Sequence, residues 1–232
     1  MAQPPDITET FVREVDENLR RDQLRDFTRK YASWIVAAVV LFLVAAGGFI
    51  YWQDWQRKKN EQAVEQLAQV FTDISKGQTQ TAPARLDKLS DAHAKAVRAA
   101  AQFGRAAVAI NQNDTKLAIA KFKELAGDSS MPKPFRDLAL IRQTALEFDA
   151  LKPEEVVTRM QPMTKPGAPW FGSAGELTGM AMIKQGKTAE AGRLFAAIAR
   201  DQEVPEQLRG RAIQMASSLG VDVSNVVPPA AQ

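Results

Sequence analysis

Hydrophobic and polar positions divide the chain into three regimes. From Tyr31 to Gln53, the run YASWIVAAVVLFLVAAGGFIYWQ holds 23 residues and no group charged at neutral pH. Ahead of it, residues 1–30 carry a broken apolar stripe (Phe11, Val15, Leu19, then Leu24, Phe27, Tyr31) among closely spaced charges. Behind it, apolar residues recur three and four apart in a succession of short segments, which is the period of helices with one buried face.

The third regime repeats. Ile74, Ile110, Leu146, Ile183 and Leu219 stand 36, 36, 37 and 36 residues apart, each closing an apolar-periodic helix just before a turn (SKGQ, NQND, EFDALKP, KQGK, GVDV). Second helices follow these turns with buried positions spaced four then three: Ala82, Leu86, Leu89; Ala118, Phe122, Leu125; Ala191, Phe195, Ile198. In the remaining unit Val156, Met160 and Met163 keep the spacing, shifted by two. Pro132, Pro169 and Pro205 punctuate the starts of the next first helices, where a missing N–H is harmless. A period of this size predicts helical hairpins stacked into a solenoid, because each hairpin has an apolar face that only a neighbour buries. Such stacks expose an extended surface suited to holding another polypeptide.

The uncharged run makes a helix of about 34 Å, against about 30 Å for a bilayer's hydrocarbon core. Its ends carry Tyr31, Trp34, Tyr51, Trp52 and Trp55, five of the chain's six Trp and Tyr residues, as expected where hydrocarbon meets headgroups. A buried helix of a soluble protein or a cleaved signal peptide at Ala45-Ala46-Gly47 are the competing readings. The length of the run, the mixed charge ahead of it, and the apolar Phe49 to Trp52 beyond that cut favour an uncleaved span. Residues 11–30 hold six Lys and Arg (Arg13, Arg20, Arg21, Arg25, Arg29, Lys30) against three in 54–73 (Arg57, Lys58, Lys59). That bias places the N-terminus in the cytoplasm and everything after Asp54 across the membrane, the periplasm in a bacterium. Within the span Ser33, Ala37, Ala45 and Gly47-Gly48 are small enough for close helix approach, which leaves self-association open.

Residues 1–30 read as a helix begun by Asp6 as N-cap with Glu9 three residues on, and carrying pairs such as Glu9–Arg13, Asp16–Arg20, Glu17–Arg21 and Asp26–Lys30. It is either a cytoplasmic docking helix or an amphipathic helix lying on the membrane. Past Asp54 no breaker intervenes before Lys76-Gly77, so a helix with Ala63, Leu67, Val70 and Ile74 on one stripe continues out of the membrane and is capped there.

Composition narrows the chemistry. The net charge of +3 divides into −1 for residues 1–30 and +4 for 54–232, too little for a nucleic-acid groove. The chain has no cysteine, which removes disulfides, thiolate nucleophiles and sulfur-ligated metals, and its one histidine, His93, leaves triads and histidine metal sites incomplete. His93 sits in Ser90-Asp91-Ala92-His93 at a helix start, where it reads as exposed. Glu154-Glu155 follows Lys152-Pro153 at a helix N-terminus, where acids suit the dipole. The segment Pro166-Gly167-Ala168-Pro169-Trp170-Phe171-Gly172 sets two aromatics beside helix breakers, either to contact a partner or to plug a lengthened turn.

Ala106, Ala118 and Phe122, and again Gly179, Ala191 and Phe195, are small, small and aromatic at spacings of twelve then four. They resemble the tetratricopeptide repeat, in which these positions let paired helices pack closely. The full layout, from the Val12-Arg13-Glu14-Val15-Asp16-Glu17-Asn18-Leu19-Arg20-Arg21-Asp22 run through the span into the repeats, resembles the bacterial ancillary subunit family of the Sec translocon. That resemblance implies an inner-membrane protein with a periplasmic tetratricopeptide-like domain. Its implied partners are Sec translocon subunits, a membrane-anchored periplasmic chaperone of the prolyl isomerase type, and exported client polypeptides.

The expectation is therefore an all-α chain with a cytoplasmic segment (1–30), a transmembrane helix (31–53), a tetratricopeptide-like domain (54–220) and a disordered tail (221–232). It acts as a membrane-anchored, non-enzymatic binding scaffold or chaperone-like adaptor, needs no cofactor, and contacts lipid and protein but no nucleic acid. The competing reading is a structural adaptor in cell division or envelope assembly.

Overall fold

The computed structural model describes the backbone of residues 7–223 and the side chains of residues 33–223. The Asp6 cap, the ion pairs expected across residues 9–30, the side chain of Tyr31 and the tail from residue 224 lie outside the described residues. Those described form helices with no strand: α1 (Ile7–Ser75), α2 (Ala82–Leu89), α3 (Lys95–Asn111), α4 (Thr115–Gly127), α5 (Lys133–Glu147), α6 (Pro153–Met160), a 3₁₀ turn (Gln161–Met163), α7 (Phe171–Lys184), α8 (Thr188–Arg200) and α9 (Glu206–Ser218). The chain is all-α.

The three segments read separately before residue 76 are one helix, since no proline or left-handed residue interrupts them. Contacts divide the chain inside that helix, into units Met1–Lys59 and Asn60–Gln232, six residues beyond the expected end of the span. In the first unit Asp54 pairs with Lys58 at 2.9 Å and Lys59 lies 3.6 Å from the Trp55 ring centroid, so residues 54–59 interact along their own helix. This unit contains a stretch long and apolar enough to cross a membrane, and its most apolar window is not buried at all. Trp34, Leu41, Phe42, Phe49 and Tyr51 are exposed along it. Apolar surface left in water costs about 25 cal/mol per Å², a penalty hydrocarbon removes.

The second unit is a run of hairpins that share their cores. Val70 of α1 packs with Leu86 and Leu89 of α2 and Val97 of α3. Ala106 of α3, Phe122 and Leu125 of α4 and Ala139 of α5 form the next cluster. Ile141 of α5, Val156 and Met160 of α6, Met163 and Leu177 of α7 follow, and Phe171, Phe195, Ile198 and Ala216 close the series across α7, α8 and α9. Each helix thus serves the cluster before or after it, as the repeat demands.

The turns are built alike. Gly77, Asn113, Gly186 and Gly220 each have positive φ (80°, 61°, 76° and 77°). In each the following N–H reaches back to the carbonyl five residues earlier: Gln78 to Asp73, Asp114 to Ala109, Lys187 to Met182 and Val221 to Ala216, all 2.9–3.0 Å. This paired 6→1 and 5→2 bonding satisfies the terminal carbonyls of α1, α3, α7 and α9. The α5–α6 turn has no positive φ; Ala150 and Leu151 both donate to the Glu147 carbonyl instead. That longer turn displaces the following positions by two. Pro162 then stops α6, because a proline removes an amide donor and crowds the preceding turn, and Met163 reaches the core from a 3₁₀ turn.

Three expectations shift. Leu219 does not close α9 but is its C-cap, so the equivalent of Ile183 is Ser217 and the last interval is shorter. Pro132 and Pro205 sit at the N-caps of α5 and α9 rather than in their first turns, with ψ near 140°, and their carbonyls accept the first helical bonds. The chain past Gly220 does not leave the domain at once. Val223 is buried and Val221 packs on the same cluster, because the left-handed turn at Gly220 folds both back onto α8.

Candidate functional site

Close helix contact is set by small residues. A Cβ added at Gly179 would lie 2.6 Å from the Phe195 ring, one at Gly175 2.8 Å from Ile198, and one at Gly172 2.8 Å from Val204. Spaced three and four apart, these glycines form the face of α7 against which α8 and the α8–α9 turn rest. Of the six residues expected at repeat contacts, Ala106, Ala118 and Phe122 share one cluster, and Gly179 meets Phe195 beside Ala191 in another. All six are buried.

Beside the glycine face, Ser173, Glu176 and Leu177 of α7 line a groove together with residues of α5 and α9. One pocket, of about 310 Å³, is lined by Leu138, Ile141, Arg142 and Ala145 of α5, Glu176 and Leu177 of α7, and Arg211 of α9. An adjacent pocket of about 370 Å³ is lined by Pro169, Val204, Pro205 and Glu203. Trp170, Ser173 and Leu208 form the wall common to both.

The odd loop positions that wall. Gly167, at φ 76°, turns the chain and donates its N–H to Asp201 Oδ2 at 3.0 Å, fastening the loop to the end of α8. Three residues on, the aromatics part company. Phe171 is buried in the core, whereas Trp170 is half-buried at the N-cap of α7 and faces both pockets. Both rings therefore pack into the stack, Phe171 fully and Trp170 in part against the cluster of α5, α6 and α7, while Trp170 also lines the two pockets. Trp170 Nε1 is buried without an acceptor, and an unmet buried donor costs on the order of 1–3 kcal/mol.

Charge in the groove is ordered across the helices. Arg211 donates to Glu176 through Nε at 2.8 Å and Nη2 at 2.9 Å. This bidentate bond with the Glu176 carboxylate, and the attraction of its charge, raise the pKa of Arg211. Arg142 lines the same pocket and is exposed, with no ion pair to any described acid. Large apolar side chains are also exposed on α1 and α3: Val64 and Phe71 are 55% and 41% exposed and Ile110 is 41% exposed, and these are the large exposed hydrophobics among the described residues beyond Trp55.

The remaining sequence candidates lie elsewhere. His93 is exposed two residues before α3. Glu154 and Glu155 occupy the first turn of α6, where Glu155 accepts from Arg159 at 2.6 Å. Among the described residues no three His, Asp or Glu side chains converge to hold a metal. Trp34, Tyr51, Trp52 and Trp55 are exposed on α1. The groove residues escaped the sequence reading because no one helix carries them. Their signal was opposite charge about one repeat apart: Glu176 with Arg211, and Asp149 with Lys184, which pair at 2.8 Å, are both separated by 35 residues.

A family model described as a tetratricopeptide repeat-like domain matches residues 25–216, taking in the apolar stretch and the hairpins alike. Comparison with curated proteins found no match, and comparison with solved structures found none. Repeat domains of this kind are typically non-catalytic scaffolds for protein–protein interaction. From its matched residues and its shared-core hairpins, the chain belongs to the tetratricopeptide repeat-like family.

Proposed function

We propose that the protein is a single-span, membrane-anchored adaptor whose repeat domain binds other polypeptides on the far side of the membrane from its N-terminus. The observation that carries this reading is the groove along α5, α7 and α9, open and partly apolar, with a cation left unpaired. It works by stoichiometric binding. Anchoring confines the domain near other membrane proteins, which raises its effective concentration toward them. In a bacterium this places the domain in the periplasm at the inner membrane, where the layout resembles the ancillary Sec translocon subunit. Translocon subunits, a membrane-anchored prolyl isomerase-type chaperone and newly exported chains are its proposed partners.

In-cell photo-crosslinking tests this. A photoreactive residue replacing Phe71, Ile110 or Leu138 is expected to crosslink polypeptides, with translocon and chaperone subunits among the products. Crosslinks to one folded division or envelope protein would favour the structural adaptor instead, and no crosslink from any of the three positions would refute a scaffold. Location is read separately by opening the outer membrane and adding protease. Digestion of a C-terminal tag supports the proposed orientation, and protection until detergent is added reverses it.

A further inference from the structure

The pocket of about 370 Å³ is built chiefly from two turns, with Gly167, Pro169 and Trp170 before α7 and Glu203, Val204 and Pro205 before α9. Glu203 is its one charged lining residue, and Trp170 carries an indole N–H buried without an acceptor. Val204 also belongs to the buried cluster that holds Val223, the last residue described. Beyond Val223 the chain reads Ser-Asn-Val-Val-Pro-Pro-Ala-Ala-Gln, with no charged side chain. A proline pair favours the polyproline II form, whose carbonyls make no internal hydrogen bond and which docks on aromatic-lined surfaces.

We infer that residues 226–229 of this same chain, Val-Val-Pro-Pro, occupy that pocket, with the prolines against the Trp170 ring and a backbone carbonyl accepting the indole N–H. Reach and charge identify the occupant. The pocket lies at the N-terminal end of α9 and Gly220 past its C-terminal end, about 20 Å apart along 13 residues of helix. The left-handed turn at Gly220 sends Val221 and Val223 back onto α8, and the eight residues from Gly220 to Pro228 extend to at most about 29 Å. An uncharged segment brings no charge to be desolvated among apolar walls, whereas Glu203 disfavours an acidic one. Tethering supplies an effective concentration on the order of 1 mM, so a segment with a Kd of about 0.1 mM fills the pocket about nine-tenths of the time. Trp170 also walls the neighbouring pocket, so the tail is a built-in competitor that a partner displaces, a consequence that rests on the scaffold reading.

The test uses the full chain in lipid nanodiscs with Trp34→Phe, Trp52→Phe and Trp55→Phe, which leave Trp170 as the sole indole. Acrylamide quenching of Trp170 is expected to rise at least ~2-fold when residues 224–232 are removed, and likewise in the full-length double variant Pro228→Ser, Pro229→Ser. A free Asn-Val-Val-Pro-Pro-Ala peptide at about 1 mM should restore protection to the shortened chain. Both variants keep the buried Val223, so circular dichroism should match the parent. Equal quenching with and without residues 224–232, or in the proline variant and its parent, would overturn the inference. Protection seen in discs loaded with two copies but lost in discs loaded with one would make a second copy the occupant and overturn it too. Quenching is read with no partner present, whereas crosslinking at Phe71 and Ile110 reads partner binding away from this pocket. The tail contact and the scaffold reading therefore fail separately.

Discussion

At the scale of single residues, stability turns on a few positions where side-chain size or φ leaves no latitude. Gly179 faces the Phe195 ring, and Gly179→Ala forces the ring or the helix aside. Over-filled cores lose about 1–3 kcal/mol. Thermal and urea unfolding of Gly179→Ala should show a loss in that range, and adding Phe195→Leu should cost less than it does in the parent, because the two residues share one space. Asp128 is different in kind. Its side chain accepts hydrogen bonds from the side chain and the backbone N–H of Ser130, the latter at 2.9 Å, and these lower its pKa below the ordinary 3.8. A depressed carboxyl stabilises the fold above pH 3.8 and loses that contribution as pH falls through its lower folded value. Stability measured between pH 5 and 2 should therefore fall less steeply in Asp128→Asn than in the parent.

Elements are joined by interactions whose strength varies along the stack. The α5–α6 turn lacks the left-handed cap of the other hairpins, and an ion-pair network spans it instead. Arg159 of α6 binds Glu147 of α5 at 2.7 Å and Glu155 at 2.6 Å, with Gln143 also donating to Glu147 at 3.1 Å. Burial opposes the charge on Arg159, but its hydrogen bonds to Glu147 and then Glu155 outweigh it, and its pKa is raised. Both partners are partly exposed, so Arg159→Met should cost about 1 kcal/mol in dilute buffer and less in high salt, read by denaturant unfolding at both ionic strengths. By contrast Leu86 is fully buried at the centre of the first cluster, and Leu86→Ala should cost about 2–5 kcal/mol. Because neighbouring clusters meet only through shared helices, hydrogen exchange in that variant should rise in α2 and α3 more than in α8 and α9.

For the molecule as a whole, the two units dispose of their apolar side chains differently. The described residues from 60 onward bury most of their large apolar side chains in shared clusters, whereas the apolar stretch of the first unit exposes its own. A chain of residues 60–232 should stay helical and disperse in buffer without detergent, while the full chain should need detergent or lipid, as circular dichroism and size exclusion would show. An aggregated or unfolded 60–232 would mean that the domain depends on the preceding helix. The sequence alone determined the apolar run, the hairpin period, and core positions such as Leu86, Phe122, Met160 and Phe195, because these follow from helical periodicity within one segment. The Lys76-Gly77 cap was legible for the same local reason. Only the tertiary structure decided that Trp170 lines a pocket while Phe171 fills the core, that Val223 returns to the domain, and that Arg142, Glu176 and Arg211 stand in one groove. Those outcomes depend on how far each hairpin turns and how closely α7 approaches its neighbours. The extra turn length after α5 and the glycines facing Val204, Ile198 and Phe195 set that register, and it exists only once separate helices are packed together.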